Sequence, residues 1–321
     1  MKYTINNYSV GALLYSPANN ETIVQSIIEE KFDQPFSLAL CLEDTIRDDC
    51  VEKAEDTLVY SLTQLAQFKE EKEFYLPKIF IRVREPKQIG KLFERFQQVQ
   101  SLVTGFIIPK FDLNNADDYI HEIKEINHDL KTPCYMMPIF ESSTMIPLNT
   151  RYAILYSLKS KLDQIEDLVL NIRVGGNDLC HSFGLRRHNT DTIYEIRPIA
   201  NILTDIVTVF GLDYVVSGPV WEYYNGDGWD GGLRREIEHD QLNGFIGKTV
   251  IHPKQISIVN QSYAVSKVDY DDACSILHWN DSMDTLVLGS STSERMNEYK
   301  THTNWAKNII LLSKIYGFKQ D

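Results

Sequence analysis

Ser37-Leu38-Ala39-Leu40-Cys41-Leu42-Glu43-Asp44 decides the fold class: six small or apolar residues in a row, cut off by two carboxylates. A strand with one wet face alternates apolar and polar residues. A run without alternation is buried on both faces, which is the condition of strands in a parallel sheet. Seven further runs share the pattern. Residues 13–16 stop at Pro17, 78–83 carry Arg82, 105–108 end at Pro109-Lys110, and 134–140 end at Glu141. Residues 168–174 lead into Gly175-Gly176-Asn177-Asp178, and 213–217 and 248–252 complete the set.

The segments between the runs, 21–30, 50–68, 86–102, 116–129, 150–162 and 192–210, are long enough for crossover helices. Eight β/α units in one chain of 321 residues predict a closed TIM-type (β/α)8 barrel rather than an open sheet. The reading is one domain over 1–321, with the barrel at about 11–265 and a helical extension at about 266–321 that includes helices at 270–277 and 294–316. The Gly-rich stretch 225–232 reads as a loop or lid over the barrel's rim.

Composition excludes several classes. Apolar residues make up 43% and charged residues 24%, as in a folded globular chain, so disorder is out. With 45 acidic against 32 basic residues the net charge is −13, which repels phosphate backbones and anionic lipid; no nucleic-acid or membrane partner is expected. Five cysteines without a CxxC spacing suggest neither zinc nor a disulfide framework. No apolar run approaches a membrane span and residues 1–9 lack a signal-like core, so a cytoplasmic location is expected.

In a parallel barrel the carboxyl ends of all strands meet at one rim, where the active site is built. Glu43, Asp44, Arg82, Lys110, Glu141, Asp178 and Lys254 all fall at such ends. Solvation explains any one polar strand end, but poorly explains carboxylates and cations gathered on one rim. Glu141 and Asp178, from neighbouring strands, offer the oxygen donors that magnesium prefers, with positions left for water and a substrate. The competing reading is a plain strand-end Glu and an Asp that caps the next helix. Arg82 has a fork suited to a substrate carboxylate, or equally to a strand-end salt bridge. Glu43 and Asp44 are candidates for ordering water or a cation, an N-cap being the competitor for Asp44. Lys110, Glu222 and Lys254 are candidate substrate contacts. Gly175 and Gly176 would allow close backbone approach to the ligand. No H-x-x-x-H pair and no G-x-S-x-G elbow is present.

Gly244-Phe245-Ile246-Gly247-Lys248-Thr249-Val250-Ile251-His252-Pro253-Lys254-Gln255-Ile256 resembles the G-x-x-G-K-x-x-I-H-P-x-Q signature of the citrate lyase β-chain and malyl-CoA lyase group, within the HpcH/HpaI aldolase superfamily. Leu42-Glu43-Asp44, Ile81-Arg82-Val83, Pro109-Lys110, Pro138-Ile139-Phe140-Glu141 and Gly176-Asn177-Asp178-Leu179 match at the expected strands. The tail 296–306 is similar to that of the stand-alone C–C bond lyase branch found with tellurite-resistance-type stress operons. The resemblance implies Mg2+ held by Glu141 and Asp178, a catalytic, carboxylate-binding Arg82, and Glu43 and Asp44 around them. It also implies a homo-oligomer, trimer or hexamer.

The expected function is a magnesium-dependent carbon–carbon lyase, acting on a small 2-oxo- or 3-hydroxy-carboxylic acid through a metal-stabilised enolate. Alternatives are an acyl-thioester (acyl-CoA) lyase or hydrolase, and a non-catalytic ligand-binding member of a stress-response complex. Gly11 and Ala18 stand where the family has Arg and Gly, and Ser217-Gly218-Pro219-Val220-Trp221-Glu222 replaces an Asp-Gly-Val stretch. These departures favour a free acid over a CoA-linked one.

Overall fold

The computed structural model describes residues 4–279 and 284–320. Eight parallel strands form its centre: β1 Ala12–Pro17, β2 Ser37–Cys41, β3 Lys78–Arg82, β4 Val103–Ile108, β5 Tyr135–Phe140, β6 Ile172–Val174, β7 Val216–Ser217 and β8 Lys248–Val250. Their order is β7-β6-β5-β4-β3-β2-β1-β8. The ends of that order meet through a bridge between Gly218 and Lys248, with Gly218 N–H donating to the Gly247 carbonyl at 3.0 Å, so the sheet closes on itself.

The unalternating runs have a simple cause. Leu13, Ala39, Phe80, Ile107, Met137 and Ile139 pack together inside the lumen, while the residues between them, such as Leu14, Leu38, Leu40, Ile79, Ile81 and Phe106, pack under the helices. Both faces of each strand are dry, so both carry apolar side chains.

Helices α1 Ile5–Tyr8, α2 Thr22–Ile28, α3 Val51–Glu71, α4 Pro86–Phe96, α5 Ala116–Asn127, α6 Leu148–Leu162, α7 Gly176–Ser182, α8 Arg197–Phe210, α9 Trp229–Leu242 and α10 Lys254–Tyr263 accompany the strands. α4 shows why they form: Pro86 opens it, and Ile89, Leu92, Phe93 and Phe96 make one buried stripe at helical spacing. Beyond the barrel lie α11 Lys267–Leu277, a hairpin of β9 Val287–Gly289 and β10 Met296–Glu298, and α12 Tyr299–Tyr316, which packs against α11. The Tyr316 hydroxyl donates to the Tyr8 carbonyl at 3.0 Å, tying the last helix to the barrel's amino end. No helix among the described residues is long and apolar enough to cross a membrane.

Several expectations need correction. The sixth run is strand only from Ile172, because the chain changes partner: Leu170 N–H donates to Met136, whereas Ile172 N–H donates to Val215. The seventh run keeps two strand residues, and α4 stops at Phe96, short of 102. Residues 296–298 form a strand rather than a helix start. The Gly-rich stretch is loop only to Gly228; Trp229 opens α9, and Gly232 lies so close to the Trp221 ring that a Cβ would come within 2.6 Å of it. Gly11 sits at the amino end of β1, against Tyr316, at the end of the barrel opposite the carboxylate rim. Its departure from the family pattern therefore says nothing about a ligand at the rim.

Candidate active site

Glu43, Arg82 and Glu141 continue the lumen-facing phase of β2, β3 and β5, which brings them to the carboxyl rim together. Arg82 Nη2 lies 2.6 Å from Glu43 Oε2, 2.8 Å from Asp44 Oδ2 and 3.4 Å from Glu141 Oε1. Lys110 Nζ completes the group, donating to Glu43 Oε1 at 2.6 Å and Asp44 Oδ1 at 3.3 Å. Lys110 holds a left-handed backbone, φ 48°, unusual for a residue with a side chain. That turn aims its N–H at Glu141 Oε1, 3.0 Å away. Asp44 is engaged by these two cations, not by a helix end.

The electrostatics separate the acids. Glu141 is 4% exposed. Burial raises its pKa to about 7, against the pull of Arg82 and with the help of the Asp178 charge. Glu43 is raised, chiefly by burial, while Asp44 is held below its usual value because Glu43, Arg82 and Lys110 outweigh its own desolvation. Burial works against the charge on Arg82, but Tyr15, Glu141 and Glu43 overcome it and raise its pKa. Tyr15, on β1, lies under the Arg82 guanidinium, 5.9 Å from ring centroid to carbon. It was not foreseen in the sequence, where it reads as one more apolar strand residue.

Asp178 lies in the first turn of α7, whose N-cap is Gly175, so it is not the capping residue. A Cβ on Gly175 would fall 2.0 Å from Glu141 Oε2, and one on Gly176 would strike Ile193 at 2.4 Å. The two glycines thus make room for Glu141 and for packing. Lys254 starts α10 exposed, its N–H donating to His252 Nδ1 at 3.2 Å. Glu222 pairs with Arg186 at 3.3 Å. No ion pair or hydrogen bond among the described residues joins Lys254 or Glu222 to the Arg82 cluster.

The donor set fits magnesium. Among the described residues no three His, Cys, Asp or Glu side chains form a ready metal cage. Magnesium, however, is commonly held by one or two carboxylates with waters and substrate completing its shell. Glu141 and Asp178 supply hard oxygen donors, and the Asp178 charge adds to the rise in the Glu141 pKa that burial chiefly causes.

Arg82→Lys keeps the charge but not the fork. Carboxylate oxygens left without a donor should lower stability by about 1–3 kcal/mol in urea unfolding. Unchanged stability would show that Lys110 alone holds the cluster.

A second charged group lies outside the barrel wall, at the amino end of β8. Lys248, the lysine of the eighth-strand signature, points outward from β8 and is fully buried. Its Nζ is 2.7 Å from Glu236 Oε1 and 2.7 Å from Asp240 Oδ2, both on α9. Arg187 Nη1 meets Glu236 Oε2 at 3.0 Å and stacks on Trp221, while Tyr194 donates to Asp240 Oδ1 at 2.7 Å. The network locks α9 and the 187–194 segment onto the closing strand.

The family profile described as C–C bond lyase of the TIM-barrel fold matches residues 4–318. A citrate lyase from Burkholderia xenovorans LB400 superposes with a TM-score of 0.70 at 11% identity, over 96% of this chain and 92% of that one. CitE from Mycobacterium tuberculosis, crystallised with magnesium, acetoacetate and coenzyme A, superposes with a TM-score of 0.64 at 14% identity, over 96% and 99%. A stretch of 48 residues is 42% identical to (3S)-malyl-CoA thioesterase of Cereibacter sphaeroides; it spans 15% of this chain and only 17% of that relative's length. At such identities the structural likeness speaks for the fold alone. The profile, matching almost from end to end, speaks for the family: this protein belongs to the C–C bond lyases of the TIM-barrel fold.

Proposed function

We propose that the protein is a magnesium-dependent lyase that cleaves, or in reverse joins, a carbon–carbon bond of a small 2-oxo- or 3-hydroxy-carboxylic acid. The observation that carries this reading is Glu141, a buried rim carboxylate whose pKa stands near 7 beside Asp178. In this reading Glu141 and Asp178 hold the ion. Magnesium, when bound, polarises a carbonyl oxygen as a Lewis acid.

The chain's own residues supply the rest. Arg82 keeps Glu43, Asp44 and Glu141 converged although like charges repel. Glu43, the member of its pair whose pKa rises, is the group assigned to proton transfer, and Lys110 Nζ orients it. Tyr15, held protonated by burial with a pKa of about 12, contributes a neutral donor. Family membership and the magnesium and acetoacetate bound by the mycobacterial relative support the assignment. A cytoplasmic homo-oligomer belongs to the same reading; light scattering checks the assembly.

The test is incubation of the full chain with magnesium and a panel of oxo- and hydroxy-acids, followed by NMR detection of two carbon fragments. Asp178→Asn should weaken magnesium binding at least about tenfold, roughly 1.4 kcal/mol, since it removes a formal charge from the ion's surroundings. Calorimetry reads that change, and equal affinities would remove Asp178 from the site. The malyl-CoA thioesterase stretch favours one other reading, thioester hydrolysis. An acyl-CoA that yields free thiol, with no carbon fragment from any acid, would establish it instead.

A further inference from the structure

Arg173 is a guanidinium that takes no part in the rim cluster. It lies on β6, in register with Ile139 of β5 on one side and Ser217 of β7 on the other. Ile139 belongs to the lumen cluster, so Arg173 points inward as well. It is 1% exposed. Nη2 donates to Thr249 Oγ1 at 2.6 Å across the lumen, whereas Nε and Nη1 have no acceptor among the described residues. Arg82 is surrounded by three carboxylates; Arg173 has an ion pair with none among the described residues.

A buried guanidinium stays charged, so without a counter-charge it is a standing cost to the fold. Burial pulls the pKa of Arg173 down, and the opposing influences come from the Tyr15 and Tyr263 phenols rather than from an acid. Its location gives that cost a use. Gly175, two residues further along the same face of the chain, touches Glu141. Arg173 is therefore one layer below Glu141, roughly 7 Å down the strand. Tyr15 links the levels, since its phenol feels both Arg82 and Arg173.

We propose that Arg173 is a carboxylate seat at the floor of the active site, its donors not taken by Thr249 binding one carboxylate of a small acid that enters beneath Glu141. A planar two-oxygen anion suits a guanidinium, and the side chains that share the lumen, Phe80, Met137 and Ile139 among them, are apolar and offer no competing charge. The identity of the acid rests on the function proposed above; the seat itself does not.

The experiment is thermal unfolding of the full chain in EDTA, titrated with sodium oxalate against sodium chloride at matched ionic strength. Wild type should gain melting temperature with oxalate, by mass action on the native state. Arg173→Met should gain none, and without oxalate should melt at or above wild type, because an uncompensated buried charge is gone. Arg173→Lys, which keeps charge without the fork, should bind oxalate at least about tenfold more weakly. Absence of an oxalate shift in wild type overturns the proposal, and so does a shift retained by Arg173→Met. If Arg173→Met does not fold, Arg173→Lys decides, and unchanged oxalate affinity overturns the seat. Because EDTA removes magnesium, the result stands apart from the lyase assay, and either can fail alone.

Discussion

Lys248→Met destabilises the protein by about 3–5 kcal/mol, the cost expected when one partner of a buried ion cluster is removed and the other charges stay buried. Methionine fills much of the lysine's volume, so the loss is electrostatic and not a cavity. Glu236 and Asp240 are fully buried and each lies 2.7 Å from the ammonium group. Arg187 remains beside Glu236, but Asp240 is left with the Tyr194 hydroxyl. Burial already raises the pKa of Asp240, and Lys248 is the main force opposing it. Urea unfolding at pH 7 measures the effect. Adding Glu236→Gln and Asp240→Asn to Lys248→Met should recover part of the loss by removing the stranded charges. A loss under 1 kcal/mol would mean that water reaches the cluster.

Glu141→Gln removes a pH dependence that the wild type should show. The ordinary value for this carboxyl is 4.5 and its folded value is about 7. Between those values the folded chain holds more protons than the unfolded chain. The stability Glu141 contributes is thus complete below about pH 4.5 and falls as pH rises through 7, by on the order of 3 kcal/mol in total. In EDTA, wild type should lose stability relative to Glu141→Gln from pH 5 to pH 8. Saturating magnesium at pH 8 should restore wild type and leave Glu141→Gln unchanged, because a bound cation offsets the buried charge. Magnesium affinity of the wild type should in turn drop as pH falls below 7, up to about tenfold per pH unit. Parallel stability profiles for the two proteins would show that Glu141 is charged at no cost, and would remove the main support for a metal there.

The rim cluster was legible because strand phase is written locally. Glu43 follows Ala39 and Cys41 at intervals of two, and Arg82 follows Phe80, so lumen-facing direction and end position are both readable along the chain. Lys254 and Glu222 carry no such local cue. They stand in a helix start and a long connection, where sequence position does not determine direction. Arg173 is visible as a cation inside Ile172-Arg173-Val174, but the local sequence does not show whether a carboxylate faces it. Lys248 was visible only as part of a motif, with its outward phase and its partners on α9 unseen.

Burial on both faces is a property of each run taken separately, and eight such runs with helical spacers leave a closed parallel barrel as the arrangement that keeps every face dry. That much follows from the order of the residues. Which charge neutralises which does not, since ion pairing depends on distances between segments far apart in the chain. Lys110 meets Glu43 across 67 residues and Arg82 meets Glu141 across 59. Arg173 shares the same lumen and, among the described residues, is reached by no carboxylate. Compensation and its absence are set by a few ångströms between strands, and closure of the barrel is what sets them.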